Sequence, residues 1–306
     1  MSDLPSISVI TPTLNQAQFI RQTIDSVIEQ HYPRLEYIVI DGGSTDGTRE
    51  ILQSYDRYLT WISESDQGQS SAINKGWNLS KGEILCWLNS DDYYLPDALN
   101  TVGEYFNEHP EIDLVYGDCD FVDSEGTVLR PYPTHSFDYK EFVRLTENYI
   151  PQPAAFIRRN LLEDVGYLDE TLSYVMDFDY WLRIGLHHRV KYLPKKLSAL
   201  RLHHSAKSVA LLSEFSKELV QVYQKLFSWN DLPKEIVAVK TEALANIYFR
   251  ASDCSFWGNA PAEARKYALN SIRYQIWPLR GLWLWVALGR LGIFLANKIY
   301  KNPYFA

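Results

Sequence analysis

The sequence predicts an α/β fold: a Rossmann-like, mostly parallel sheet with helices on both faces, followed by an α-helical C-terminal region. Three observations carry this. The first hundred residues alternate short apolar runs with stretches of helical periodicity. The runs are continuous rather than alternating, as strands buried on both faces require. From about Val209 onward the pattern is helical and poor in turn signals. Strand–helix–strand repetition at this spacing builds a parallel sheet through right-handed crossovers. A soft boundary near residue 206 separates a first domain, 1–206, from a helical region, 207–306.

Taken in order, the first strand is ISVIT (7–11), followed by a helix with Phe19, Ile20, Ile24, Val27 and Ile28 on one face. YIVI (37–40) is the second strand, and Ile51, Leu52 and Tyr55 mark the next helix. LTWIS (59–63) and EILCWL (83–88) are the third and fourth strands. Downstream, DLVYGDCDFVD (113–123) reads as a strand, EFVRLTENYI (141–150) as mixed, and QPAAFIRRNLLEDVG (152–166) as a strand and a short helix. MDFDYWLRIGLHH (176–188) spaces Phe178, Trp181, Leu182 and Ile184 as a helix does, and LSALRLHHS (197–205) is a strand ending in two histidines. Helices are expected over 209–229, 233–255, 260–275 and 278–300.

Composition narrows the function. The 306 residues are 46% apolar and 22% charged, enough for a substantial core. A net charge of −8 excludes a general nucleic-acid binder, which needs a basic footprint. Cys86, Cys119 and Cys254 are too far apart for a CxxC site or a disulfide framework, which points to a reducing compartment. The opening MSDLPSISVITPT shows no basic region followed by an apolar stretch, so a cytoplasmic location is expected. After Glu263 no acid occurs, whereas Arg265, Lys266, Arg273, Arg280, Arg290, Lys298 and Lys301 make the tail basic.

The main functional signal lies at the carboxyl end of each apolar run. PTLNQ with Asn15, DGGSTDGT with Asp41 and Asp46, ESDQGQS with Glu64 and Asp66, and NSDD with Asp91 and Asp92 end four successive strands. Open parallel sheets bind ligands in the crevice beyond their carboxyl ends. Simpler readings compete. Ser44, Thr45 or Asp46 would cap the helix TREILQSY, and Asp91 would cap a helix starting near Pro96. One acid suffices for a cap, however, and two adjacent acids repel unless a cation bridges them to phosphate oxygens or ribose hydroxyls take them. TPTLNQ lacks the glycines of a dinucleotide fingerprint, and no Walker loop is present.

The segments ISVITPTLNQAQFIRQTIDSVIEQ, YIVIDGGSTDGT, ESDQGQSSAINKGWNLSKGEILCWLNSDD and MDFDYWLRIG together resemble glycosyltransferase family 2, over about residues 5–205. The resemblance implies the type-A nucleotide-sugar transferase fold and an inverting glycosyltransferase. It would use a nucleoside-diphosphate sugar, a UDP-sugar first, and a divalent cation, Mn or Mg. It implies that Thr11, Pro12, Thr13, Asn15, Asp41, Asp66, Asn74 and Asp91 bind the nucleotide, with Asp41 at the base and Asp91 at the ribose. Asp92 would hold the metal on the diphosphate and His203 would complete its site, with His204 as the alternative. Asp177 matches the catalytic base. Asp179 is the second choice for that role or a helix cap, and Gln152 and Trp181 are expected near the acceptor, a carbohydrate or lipid-linked hydroxyl. Tyr93 and Tyr94 join Trp181 as aromatic faces on which a sugar would stack.

This sequence departs from the family pattern at Asn89 and Met176, where acids are common, at Leu14, where an aromatic is, and at Ile73, where an arginine is. Two rivals remain: a sugar-nucleotide pyrophosphorylase, whose glycine- and arginine-rich loop is missing, and a non-catalytic nucleotide-sugar-binding module. At the C-terminus, GLWLWVALGRLGIFLANKIY (281–300) approaches the ~20 residues of a membrane span, but Arg290 interrupts it. Arg280, Arg290, Lys298 and Lys301 share one helical sector. Segment 278–301 is therefore expected to lie in the interface of an anionic membrane, on its inner face, or to pack on protein or a dimer mate.

Overall fold

A computed structural model of the chain describes residues 4–203 and 212–275. Residues 4–137 and 148–202 form one compact unit; 138–147 join 203 and 212–275 in a second. The predicted terminal helix at 278–300 and His204 lie outside the described residues.

The first unit carries a nine-stranded mixed sheet. Its parallel part runs β3 (Thr60–Ser63), β2 (Leu35–Asp41), β1 (Ile7–Thr13) and β4 (Ile84–Trp87). These strands are the four apolar runs of the sequence, and β1 is buried along its whole length. Helices α1 (Ile20–Ile28), α2 (Thr48–Gln53) and α3 (Gln69–Leu79) connect them. Beyond β4 the pairing turns antiparallel. β8 (Ala155–Arg158) lies between β4 and β6 (Leu114–Val122), and β6 pairs in parallel with β9 (Val190–Arg201). β5 (Tyr93–Tyr94) adds to β9, and β7 (Val128–Pro131) forms a hairpin on β6. Helix α4 (Ala98–Glu108) follows β5, α6 (Leu161–Asp164) follows β8, and α7 (Met176–His187) precedes β9.

Two arginines at the end of β8 close the helices around this sheet. Arg158 donates to the carbonyls of Phe106, His109 and Ile112 at the end of α4. Arg159 donates to Gly82 and Trp77 carbonyls and to Ser80 Oγ at the end of α3. Cations at helix C-termini satisfy orphan carbonyls and oppose the dipole.

The second unit is helical: α5 (Tyr139–Leu145), α8 (Leu212–Leu226), α9 (Lys234–Trp257) and α10 (Pro261–Tyr274). Arg144 ties α5 to α9 through Glu242 at 2.6 Å and also pairs with Glu141. The 141–150 stretch thus resolves into a helix in one unit and an irregular return, Asn148 onward, in the other. Among the described residues no helix is long and apolar enough to cross a membrane.

Candidate active site

The parallel register aligns the strand ends. Thr13 pairs with Asp41 and Asp41 with Ser63, so three polar residues stand in a row across β1, β2 and β3. Asp41 is fully buried, and its carboxylate accepts from Ser44 N at 3.1 Å, from Ser44 Oγ, and from Ser63 Oγ at 2.6 Å. Asn15 adopts a left-handed backbone (φ 53°), which asparagine tolerates better than most residues. Its amide N–H donates to Ser44 Oγ at 2.7 Å, and its side-chain oxygen accepts from Thr45 N at 2.9 Å. The loops after β1 and β2 are therefore one hydrogen-bonded unit. Asp66 joins them: a Cβ on Gly42 would lie 2.9 Å from its Oδ2, so the glycine lets that carboxylate rest against the loop after β2. A cleft of about 260 Å³ opens here between Asp66, Glu64, Lys75 and Glu170.

Thr13 Oγ1 is buried with no hydrogen-bond partner, which is costly for a hydroxyl unless a ligand meets it. Thr11 differs. Its hydroxyl lies 3.1 Å from the buried Tyr37 hydroxyl and is thereby turned into the core. Pro12, between the two, is buried in β1.

At the exit of β4 the acid pair separates by environment. Asp91 is half-buried, whereas Asp92 is 3% exposed. Asp92 Oδ1 accepts from Arg201 N at 2.9 Å and Oδ2 from Asn89 Nδ2 at 3.3 Å. Burial, then the neighbouring charge of Asp91, pushes the Asp92 carboxyl well above the usual carboxylate range. Neither acid caps a helix; α4 starts later, with Asp97 at its N-cap. Arg201 fixes this turn. Its guanidinium donates to the carbonyls of Asp91, Asp123 and Ser124 and to Gln22 Oε1, and lies over Phe19 and Tyr93.

A divalent cation fits these residues in one respect and not in another. A buried carboxylate whose two donors are uncharged, beside a second carboxylate, favours a bound cation. Among the described residues, however, no group of three or more His, Cys, Asp or Glu is arranged to hold a metal by itself. The site fits a cation that takes most of its ligands from diphosphate oxygens and water, as Mg²⁺-type sites do. His203, two residues past β9, belongs to the second unit.

Asp177 lies in the first turn of α7, half-buried, with Asn148 Nδ2 donating to its Oδ2 at 2.9 Å and Phe178 N to its Oδ1 at 2.8 Å. Trp181, one turn on and on the same helix face, stacks on Trp87 at 5.6 Å and 22°. Trp87 ends β4, two residues before Asn89. That stack packs α7, one turn past Asp177, against the last residue of β4.

Several expected contacts are not available. The Asn74 amide is engaged: Nδ2 donates to Leu168 O and Glu170 Oε1, and Oδ1 accepts from Leu168 N. It braces the 168–170 segment instead of facing a nucleotide. Asp179 does not cap α7; it is 2% exposed and paired with Arg183 at 2.8 Å. Trp181, at 1% exposure, is core and offers no face to a sugar, and Tyr94 is buried likewise. Gln152 is buried with both ends of its amide bonded. Sequence reasoning missed Ser63, Gln69, Asn148 and Arg201 as site residues, and it placed Ser44 only as a helix cap. Of these Ser63 alone carried a signal, as the polar end of LTWIS.

A family model for glycosyl transferase family 2 matches residues 8–166, which hold the strand-end row and the acid pair. The chain belongs to glycosyltransferase family 2. An uncharacterised glycosyltransferase of Rickettsia typhi is 28% identical over 231 residues, 73% of this chain and 71% of that protein. A PGL/p-HBAD biosynthesis glycosyltransferase of Mycobacterium bovis is 33% identical over 184 residues, 58% of this chain and 69% of that one. Among solved structures, S. aureus TarS superimposes with a TM-score of 0.66 at 16% identity, over 97% of this chain and 55% of that one. A truncated TarS in complex with UDP-GlcNAc gives 0.61 at 16% identity, over 90% and 93%. The mannosyltransferase PcManGT of Pyrobaculum calidifontis, in complex with GDP-Man and Mn²⁺, gives 0.61 at 20% identity, over 98% and 88%. These likenesses show the type-A transferase fold for this glycosyltransferase.

Proposed function

We propose that this glycosyltransferase inverts the anomeric centre as it moves a sugar from a nucleoside-diphosphate donor, a UDP-sugar first, to a hydroxyl on a glycan or lipid-linked acceptor. The observation that carries the reading is one edge of the sheet. Thr13 and Asp41 end β1 and β2, Asp66 follows β3, the Asp91–Asp92 pair follows β4, and the packing of Trp181 on Trp87 at the end of β4 supports Asp177, one turn earlier in α7, as their partner. The UDP-GlcNAc complex of truncated TarS and the GDP-Man complex of PcManGT support a nucleotide-sugar donor.

In this reading Thr13 and Asp66 face the nucleoside, and the buried, hydrogen-bonded Asp41 and Asn15 hold the loops that shape its pocket. Thr11 and Pro12 shape that pocket from behind. Asp91, the more accessible acid, meets the cation-bearing diphosphate, and Asp92 fixes the turn behind it. Asp91 thus takes the metal-side role that the resemblance gave to Asp92, because Asp92 is buried and each of its oxygens already accepts a bond. When bound, a divalent cation supplies neutralising charge for the departing diphosphate. Asp177 takes the proton of the acceptor hydroxyl as that oxygen bonds to the anomeric carbon. The bond to the diphosphate oxygen breaks on the opposite face, and its electron pair leaves with the diphosphate. His203 and the basic segment 278–301 serve, respectively, as a further ligand and as an attachment to an anionic surface near the acceptor, on the cytoplasmic side.

The first experiment is a thermal-shift screen of UDP, GDP, dTDP and CDP with and without Mn²⁺. Stabilisation by one nucleotide, larger with Mn²⁺, is expected, and Mn²⁺ alone should shift the melting temperature little. If no nucleotide moves it, the donor assignment fails.

A further inference from the structure

Behind the acid pair, three carboxamides form a chain whose direction is fixed from one end. Gln152 Nε2 donates to the Trp87 carbonyl at 2.6 Å. A carbonyl only accepts, so Gln152 Oε1 faces the other way, where it accepts from Asn89 Nδ2 at 3.0 Å. The same Asn89 nitrogen reaches Asp92 Oδ2 at 3.3 Å, and Asn89 Oδ1 accepts from Gln69 Nε2 at 2.6 Å. Side-chain amides are usually ambiguous in orientation; the Trp87 carbonyl removes the ambiguity along this whole chain. It links the start of α3, the exit of β4 and the turn before β8, while the Arg201 amide holds the other oxygen of Asp92.

We propose that Gln69, Asn89 and Gln152 are a positioning relay for the Asp91–Asp92 turn, and that position 89 requires an amide, not an acid. The inference rests on the transferase reading above. A carboxylate at 89 would set oxygen against Gln152 Oε1 and Asp92 Oδ2. Gln152 cannot turn over to meet it without placing its own carbonyl against that of Trp87. Asn89 is then no lost acid: it steadies Asp92 by donating to it, and it adds no third carboxyl group beside two adjacent ones.

The test compares wild type, Asn89→Asp and Gln152→Met by calorimetric titration with UDP and with GDP, each with and without Mn²⁺, alongside melting temperature and the donor KM and kcat. Both variants are expected to weaken Mn²⁺-dependent nucleotide binding about tenfold, the order of one well-placed hydrogen bond, and to change binding without Mn²⁺ much less. Gln152 does not bond to Asp92, so a metal-specific effect of its replacement reports transmission through Asn89. A packing role alone would lower the melting temperature and leave the Mn²⁺ dependence untouched, which overturns the relay. Equal or tighter Mn²⁺-dependent binding by Asn89→Asp overturns it as well. If Asn89→Asp does not fold, Gln152→Met decides. Absence of binding by wild type removes the transferase reading itself, and the relay's role with it; wild-type-like binding by the variants removes only the relay.

Discussion

Asp177 and Asp179 stand two residues apart and meet different surroundings, because a helix turns them about 200° from each other. Asp177 keeps partial exposure and accepts from Asn148 and Phe178 N, whereas Asp179 is buried against Arg183, which also donates to Val165 and Tyr167 carbonyls. Removing one partner of a buried pair strands the other. Asp179→Asn is therefore expected to cost about 3 kcal/mol in urea unfolding, with kcat of the folded fraction near wild type. Asp177→Asn should leave stability unchanged and lower kcat by roughly 10²–10⁴-fold, the usual worth of a general base. Wild-type turnover by Asp177→Asn would move the base elsewhere. Asn148→Ala, which removes the donor to one Asp177 oxygen, should lower kcat with little change in donor KM; an effect confined to KM would count against it. Asp41, Asp66, Asp91 and Asp92 were legible in the sequence as acids after apolar runs, and Asp177 was named through the family resemblance. The amides and hydroxyls that orient them were not. Asn148, Gln69 and Ser44 are ordinary polar loop or helix-end residues until folding brings partners from 29, 20 and 3 residues away.

At the scale of elements, continuous apolar runs gave the parallel half of the sheet and helical periodicity gave most helices, but the antiparallel half depends on long-range pairing. β9 shows the difference. Only its end, LSALR, reads as a strand, because VKYLPKK is largely exposed and contains Pro194, as sheet margins often do. Its pairing with β6 also shifts register around Gly117 and Asp118. Helix α3 shows a second limit. By propensity, Gly76→Ala should stabilise an interior helical position by about 1 kcal/mol. Here a Cβ would lie 2.3 Å from Ile10 Cγ2, where α3 packs against β1. Overpacking of that kind costs about 1–3 kcal/mol, so close approach outweighs propensity. Gly76→Ala should lower the urea midpoint, and a rise would show that Ile10 yields at little cost.

For the whole molecule, the first unit buries ionisable groups that have nothing to do with its chemistry, and this sets its behaviour in alkali. Burial pushes the Cys86 and Cys119 thiols up to about 12, and it raises Tyr37 and Tyr94 as well. Tyr94 lies against Cys86, its hydroxyl donating to Sγ at 3.3 Å, so ionising either group would place a charge in the core. Each folded-state pKa lies above that of the free group, about 8.5 for a thiol and about 10 for tyrosine. Their contribution to stability is therefore complete below those values and is lost as pH climbs from them toward the folded-state values, because only the unfolded chain releases the protons. The melting temperature should hold level up to about pH 8.5 and then fall steadily to pH 11, with Cys86→Ala falling less steeply than wild type. All three cysteines are buried thiols. A thiol reagent at pH 8 should accordingly label none in the native protein and all three in urea. Rapid native labelling of Cys86 or Cys119, or a melting temperature unchanged to pH 11, would mean that the core of this unit opens far more readily than its packing implies.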